Sequence, residues 1–400
     1  MRVISFVEGA SKEAGGIGFV GVPYIAHSIA DQGHEVLLSI GGDLIPGTES
    51  LLKKGNDLYK VVAYPAYGRR CFSIKQILNS YQLVKQADFV MLHSLYSFPV
   101  LVGYLMARLH KKPYGLWPHG VLAPFQRRVS ARKKAIFNLI IGNRILNEAS
   151  VLFYSALGER EEAKPLNLQP PTIIVPHGMD LSEYENLPER GVFRQKYING
   201  YEGPLVLYLG RLASKKGLEL LIAAMAQVLQ QVPEARLVIV GAADPPRFEG
   251  EIRTWIKEHG IENRTIMTGL IPYQEKLHAF VDADLFVLPS HAENFGFAMF
   301  EAMASRLPVV ISDSLNLAEE VKKAGAGLVL PRQAPLFAEG IITLLRDAKL
   351  RQEMGENGHR LAELYTWDST GDKISRTFKA ILNHNPLPED LYPQSGVVKS

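Results

Sequence analysis

The sequence predicts an α/β fold of two doubly wound, Rossmann-like parallel-sheet domains. Two observations predict it. Short apolar runs alternate with helical patterns along the whole chain, and the alternation restarts after a polar stretch near the middle. Strand–helix alternation of this kind builds a parallel sheet covered on both faces. The length of 400 residues agrees, because it exceeds what one ordinary core accommodates.

In the first half, apolar runs at 3–7, 35–39, 89–93, 114–117, 151–154 and 172–175 read as strands, with helical patterns such as 22–32 and 97–109 between them. The opening MRVISFVEGA is too short an apolar run for a signal peptide and reads as the first strand. The second half repeats the scheme with strands at 204–210, 235–241, 264–269, 284–290 and 307–312, and helices at 217–231, 247–259, 273–281 and 297–304. The join falls in the Glu-, Pro- and Gly-bearing segment 181–203. The expected domains are therefore 1–185 and 200–365, facing a central cleft, with a proline-rich flexible tail at 384–400. In such sheets ligands sit at the carboxyl ends of strands, beside helix N-termini.

Composition bounds the function. The chain is 47% hydrophobic and 21% charged, values for a globular protein. A net charge of +3, from 44 basic and 41 acidic residues, is too balanced for wholesale nucleic-acid binding. Cys71 is the one cysteine, so no intramolecular disulfide forms, which fits a reducing cytoplasm. No stretch approaches the roughly 20 apolar residues of a membrane span, so any membrane contact is expected to be peripheral.

Several motifs fall at strand ends. Gly16-Ile-Gly-Phe-Val-Gly21 matches a dinucleotide fingerprint, but the intervening loop 9–15 separates it from the first strand, which argues against a nicotinamide or flavin site. A glycine-rich loop there still lets an anion or sugar approach backbone N–H groups. In LYLGRLASKKGLELL, Arg211 follows a strand and Lys216 precedes a helix, a pairing suited to a pyrophosphate; Lys215 reads as a solvated neighbour. After the strand at 264–269, backbone groups of Leu270 and Ile271 are placed to meet a base edge, with Lys276 in reach. The segment HAENFGFAMFEAMASRLPVVIS sets Glu293 in a loop and Glu301 about two helical turns on, with Asn294 as the expected N-cap and the N–H groups of Phe295, Gly296 and Phe297 turned outward. Eight helical residues rise about 12 Å, too far for a carboxylate dyad, so the two acids read as contacts to different parts of one extended ligand. No histidine or aspartate stands nearby at metal-ligand spacing.

These residues resemble the retaining glycosyltransferases of family four, which have the GT-B fold. The resemblance rests on GGIG and DQGHEV early, PHGMD at 176–180, GRLASKKG at 210–217, and ENFGFAMFEAMASRLPVV at 293–310, which carries the family's Glu-x7-Glu signature. It implies that Glu293 contacts donor-sugar hydroxyls beside the N–H groups of Asn294 to Phe297, and that Glu301 holds the ribose. Arg211 and Lys216 would neutralise the diphosphate. Gly16 and Gly210 would line the donor, with Leu270, Ile271 and Lys276 about the base. His119, in LWPHGVLAP, would lie near the reacting sugar, and His93 and Tyr96, in MLHSLYSF, on the acceptor side. His177 reads as structural, with Asp180 as a cap. A closing helix at 366–383, anchored by Trp367, would return to the first domain.

The resemblance implies hexose transfer from a nucleotide-diphosphate sugar, UDP-glucose first and GDP-mannose second, to a glycan or lipid-linked acceptor in polysaccharide assembly, without metal or other cofactor. An NAD-dependent oxidoreductase and a non-catalytic nucleotide-sugar-binding protein are the competing classes. The segment 124–146 carries Arg127, Arg128, Arg132, Lys133 and Lys134 ahead of an apolar run. It reads either as a cleft-lining helix with a solvated basic face, our default, or as a helix resting on the anionic inner face of a membrane.

Overall fold

The computed structural model describes residues 1–8, 21–42, 58–68 and 71–390. The chain divides into two compact units, Met1–Gly178 with Tyr365–Pro393, and Met179–Leu364. Gly16 lies outside the described residues.

The first unit is built on a seven-stranded parallel sheet. Its strands are β1 (Arg2–Glu8), β2 (Glu35–Gly41), β3 (Tyr59–Tyr64), β4 (Phe89–His93), β5 (Tyr114–Trp117), β6 (Val151–Tyr154) and β7 (Thr172–Ile174), in the order β3-β2-β1-β4-β5-β6-β7. The order reverses at β1 and β4, the kind of switch point at which ligands bind in such sheets. Every residue of β4, β5 and β6 is buried, because helices cover both faces. On one face Phe6, Val90, Leu92 and Leu152 pack against the helix Phe98–Leu109 and against Ile145 and Leu146. On the other, Val3, Phe89 and Phe153 meet Ile25 and Ile29 of the helix Val22–Asp31, and Ile374 and Phe378 of the closing helix Trp367–Leu382.

That closing helix is specified locally. Thr366 caps it by accepting from Ser369 N at 3.2 Å. Trp367 stacks on Tyr24 with ring centroids 5.2 Å apart. His34 and Ser375 share a buried hydrogen bond of 2.7 Å.

The second unit has a six-stranded parallel sheet in the order β10-β9-β8-β11-β12-β13. Its strands are β8 (Leu205–Leu209), β9 (Arg236–Val240), β10 (Thr265–Gly269), β11 (Leu285–Leu288), β12 (Val309–Ser312) and β13 (Gly327–Leu330). Its entry is fastened by Arg194, which is 2% exposed. The guanidinium donates to the carbonyls of Asp282, Tyr201 and Gly203 at 2.7–3.0 Å and pairs with Asp284 at 3.3 Å. A buried cation needs this many acceptors.

Two strands escape the reading of the sequence, β3 and β13, and each is a sheet edge. β3 is interrupted by the exposed Lys60, and β13 is a four-residue strand that opens on Gly327, so neither gives a long apolar run.

Phe378 is fully buried, its ring 4.3 Å from Phe89. Phe378→Ala is expected to cost about 3–5 kcal/mol in urea unfolding. Arg376→Ala, on the exposed side of the same helix, is expected to stay within about 0.5 kcal/mol.

Candidate active site

In the second unit a group of charged side chains gathers beyond the carboxyl ends of β8 and β11. After β8 the chain passes Gly210 and Arg211, makes a 3-10 turn at Ser214–Lys216, and enters the helix Leu218–Gln231. Gly217 joins turn to helix at φ +69, and a Cβ there would collide with the Pro289 carbonyl. Glycine is required on both counts. Arg211 is stitched in place by its surroundings. Its carbonyl accepts from the Tyr208 hydroxyl at 2.9 Å, and its Nη1 donates to Asp244 Oδ2 at 2.7 Å. The neighbouring strand end is laced to it through Leu212 N to Ala242 O at 2.9 Å and Asp244 N to Leu212 O at 2.8 Å.

Glu293, in the loop after β11, is 8% exposed. It forms an ion pair with Lys216 and accepts from Ser290 Oγ at 2.9 Å. Burial pushes its carboxyl upward, but Lys216, Lys215 and the hydrogen bonds outweigh burial and hold it at about 2. Lys215 is therefore no solvated neighbour: it is half-buried and acts on Glu293. Glu293 pulls the Lys215 ammonium upward, while burial, Lys216 and Arg211 bring it down to about 8.

Glu301 lies in the helix Phe297–Ala304 and repeats the arrangement. Lys276 Nζ pairs with it at 2.7 Å and sits 3.9 Å from the Tyr273 ring centroid. Tyr273 donates to Glu183 at 3.0 Å. Lys276 thus meets a carboxylate, with both groups mostly buried. Leu270 is 78% exposed, and Ile271 is half-buried. Asn294 is not the helix cap. Gly296 takes that position at φ +81, because the left-handed turn into the helix suits a residue without Cβ. Phe295 is buried and stacks on Phe300 at 4.4 Å, while Phe297 opens the helix with its ring edge-on to Phe295.

In the first unit the histidines form a stacked column. His93 is fully buried, and its Nδ1 shares a hydrogen bond of 3.0 Å with His119 Nε2. Trp117, His93 and His177 lie within 5.2–5.6 Å of the His119 ring. His119 adopts φ +54, and its Nδ1 is buried without a hydrogen-bond partner among the described residues. Burial holds His93 and His177 at about 3 and His119 well below its ordinary value, so all three are neutral at pH 7. Ser155 links the column by meeting Trp117 Nε1 at 3.1 Å and His177 Nε2 at 3.0 Å. Tyr96 is buried against the Phe137 ring, and its hydroxyl accepts from Asn138 at 3.4 Å. Asp180 caps the short turn Leu181–Tyr184 through Ser182 N at 3.2 Å.

Four participants escaped the sequence reading: Asp244, Ser290, Tyr273 and Glu159. Glu159 is buried and binds the loops after β5 and β6, accepting from Gly120 N at 2.6 Å and Ser155 N at 2.7 Å. Burial raises its carboxyl to about 7 despite those bonds. Only its place beside two strand ends marks it, and ALGEREE carries no such signal.

Lys216→Ala strands a buried carboxylate, and is expected to destabilise the protein by about 3–5 kcal/mol at pH 7. Glu293 titrates lower folded than unfolded, so its contribution is complete above about 4.5 and fades as pH falls toward about 2. The deficit of Lys216→Ala, followed by urea unfolding across pH, is expected to shrink in that acid window.

The comparisons with known proteins agree on the kind of molecule. Residues 190–361 match the family model for glycosyl transferases group 1. D-inositol 3-phosphate glycosyltransferase of Corynebacterium glutamicum (strain R) is 27% identical over 315 residues, covering 75% of each chain. Alpha-D-kanosaminyltransferase of Streptomyces kanamyceticus is 31% identical over 180 residues, a match that spans 44% of this chain and 46% of that protein. Anabaena Alr3699/HepE, solved in complex with UDP-glucose, superposes with a TM-score of 0.77 at 19% identity, covering 95% of this chain and 100% of that one. WaaG, a glycosyltransferase involved in lipopolysaccharide biosynthesis, superposes at 0.68 and 18% identity, covering 94% and 98%. Residues 190–361 match a group 1 glycosyl transferase domain, and the chain has the fold of GT-B glycosyltransferases.

Proposed function

We propose that the protein transfers a hexose from a nucleotide-diphosphate sugar, with retention of configuration at the anomeric carbon, to a glycan or lipid-linked acceptor. The observation that carries this reading is the pairing of each acid with a lysine in the second unit, Glu293 with Lys216 and Glu301 with Lys276, beside Arg211. Carboxylates accept from sugar hydroxyls. Arginine and lysine beside them can take up a diphosphate. UDP-glucose is the donor we favour, a choice supported by the UDP-glucose complex of the HepE protein and ahead of GDP-mannose. Polysaccharide assembly as the setting draws on the WaaG likeness.

The proposed reaction needs no side-chain nucleophile. The bond from the anomeric carbon to the diphosphate oxygen breaks, and an oxocarbenium-like species forms. The acceptor oxygen attacks from the same face, and its proton passes to the departing phosphate. Arg211 and Lys216 stabilise the negative charge that grows on that phosphate. Glu293 leaves Lys216 for the sugar hydroxyls and favours the positive ring. Neutral His119 offers a hydrogen bond to a sugar hydroxyl, with His93 fixing its orientation from behind. On this account the cations are built into the chain and no metal or other cofactor is required.

A panel of UDP-, GDP- and ADP-sugars tests the reading through slow donor hydrolysis and thermal stabilisation. One donor should raise the melting temperature by mass action and be turned over in chelator. Stabilisation without turnover in any acceptor mixture would favour a binding protein, and strict manganese dependence would contradict the metal-free account. Arg211→Ala is expected to lower turnover about 10²–10³-fold; a rate near that of the wild type would remove Arg211 from the chemistry.

A further inference from the structure

One helix of the first unit has an apolar face turned to solvent. Ala131–Phe137, Asn138–Gly142 and Asn143–Asn147 run on as a single helix with a π turn in its middle. Its inner face is committed to the core, where Ile145 and Leu146 are buried and Phe137 and Ile141 pack beside them. Its outer face presents Ile136 at 60%, Leu139 at 84% and Ile140 at 67% exposure. These positions are spaced i, i+3, i+4, so they lie on one stripe. A helix whose outer face were merely solvated would be polar there.

The rim of this stripe is cationic. Arg132, Lys133 and Arg144 are exposed within one turn of it, Arg128 is exposed at the end of the preceding helix, and no acidic residue occurs between Pro124 and Asn147. Glu148, the next acid along the chain, is engaged by Arg108 at 3.2 Å. Lys134 points the other way, donating to the Gln126 carbonyl at 2.6 Å. Aliphatic tips inside a ring of cations match an anionic bilayer surface: the tips enter the headgroup–acyl boundary and the cations meet lipid phosphates. An acidic protein partner would be served by the cations alone and leaves the aliphatic stripe without a purpose. The reading of this segment as a core-docked helix with a solvated basic face accounts for its inner side only.

We propose that this helix is a membrane-docking surface, seating the first unit peripherally on an anionic lipid bilayer through Ile136, Leu139 and Ile140. The proposal stands independently of the donor and of whether the acceptor is lipid-linked.

Cosedimentation of the full chain with phosphatidylcholine vesicles, with and without phosphatidylglycerol, at low and high salt tests it. Wild type should pellet with phosphatidylglycerol vesicles and be released by salt. Each cation near the surface strengthens partitioning about fivefold, so the pair R132E/K133E should weaken binding by about twentyfold or more. The pair L139S/I140S should weaken binding about tenfold or more at either salt concentration, with an unchanged melting temperature because both side chains are exposed. Absence of wild-type binding to phosphatidylglycerol vesicles, or equal binding by all three proteins, would overturn the proposal. So would a concentration-dependent dimer abolished by L139S/I140S without vesicle binding, which would make the stripe an interface between copies of this chain.

Discussion

A carboxylate taken out of water must be neutralised or matched by a cation, and the second unit meets that constraint at Glu293. Burial alone would drive its proton affinity up. Lys216, Lys215 and the Ser290 hydroxyl reverse the direction and keep the group ionised. The local architecture follows from this need. Lys216 must stand at the end of a 3-10 turn, that turn must be closed by a residue at positive φ, and the loop after β11 must pass close enough to forbid a Cβ at Gly217. Glu301 and Lys276 obey the same rule one helix turn into the neighbouring segment.

The pairs also explain how a strongly charged site persists in a folded protein before any ligand arrives. A buried ion pair adds little net stability, because desolvation offsets the attraction. Its value under the proposed function lies in exchange. A diphosphate sugar brings its own anion for the lysine and its own hydroxyls for the carboxylate, so neither charge is left bare. Arg211 stands in the same relation to Asp244. The first unit uses different physics: His93, His119 and His177 are neutral, stacked and buried, and their polar contacts are hydrogen bonds rather than ion pairs.

Much of this was legible in the sequence, and the limits have physical causes. Both sheets were readable because central parallel strands such as VLFY and LVLYL are apolar without interruption. The strands β3 and β13 were not, since Lys60 interrupts the first and the second is only four residues opening on a glycine. Arg211, Lys216 and Glu293 stood out as charges after strand ends, and Glu301 as the second acid in the helix that follows. Their pairings did not, because pairing across loops distant in the chain leaves no local pattern: Lys276 reads as a base contact, and in the structure its amine pairs with Glu301. Lys215 and Asn294 were misjudged for the same reason. Burial of Lys215 is imposed by neighbours from other loops, and the turn at Gly296, rather than a polar side chain, starts the helix. Glu159 was invisible because its role consists of two backbone N–H groups brought together by the fold.

The central claim is that Lys216 trades its carboxylate for a diphosphate. The affinity of UDP, which carries no sugar, for Glu293→Gln against wild type tests it most directly. Removing the competing carboxylate frees Lys216, so UDP should bind the variant more tightly by about tenfold, a difference of about 1.4 kcal/mol, while UDP-glucose gains less because its hydroxyls have lost their acceptor. Equal or weaker UDP binding by the variant, with its fold intact, would contradict the account.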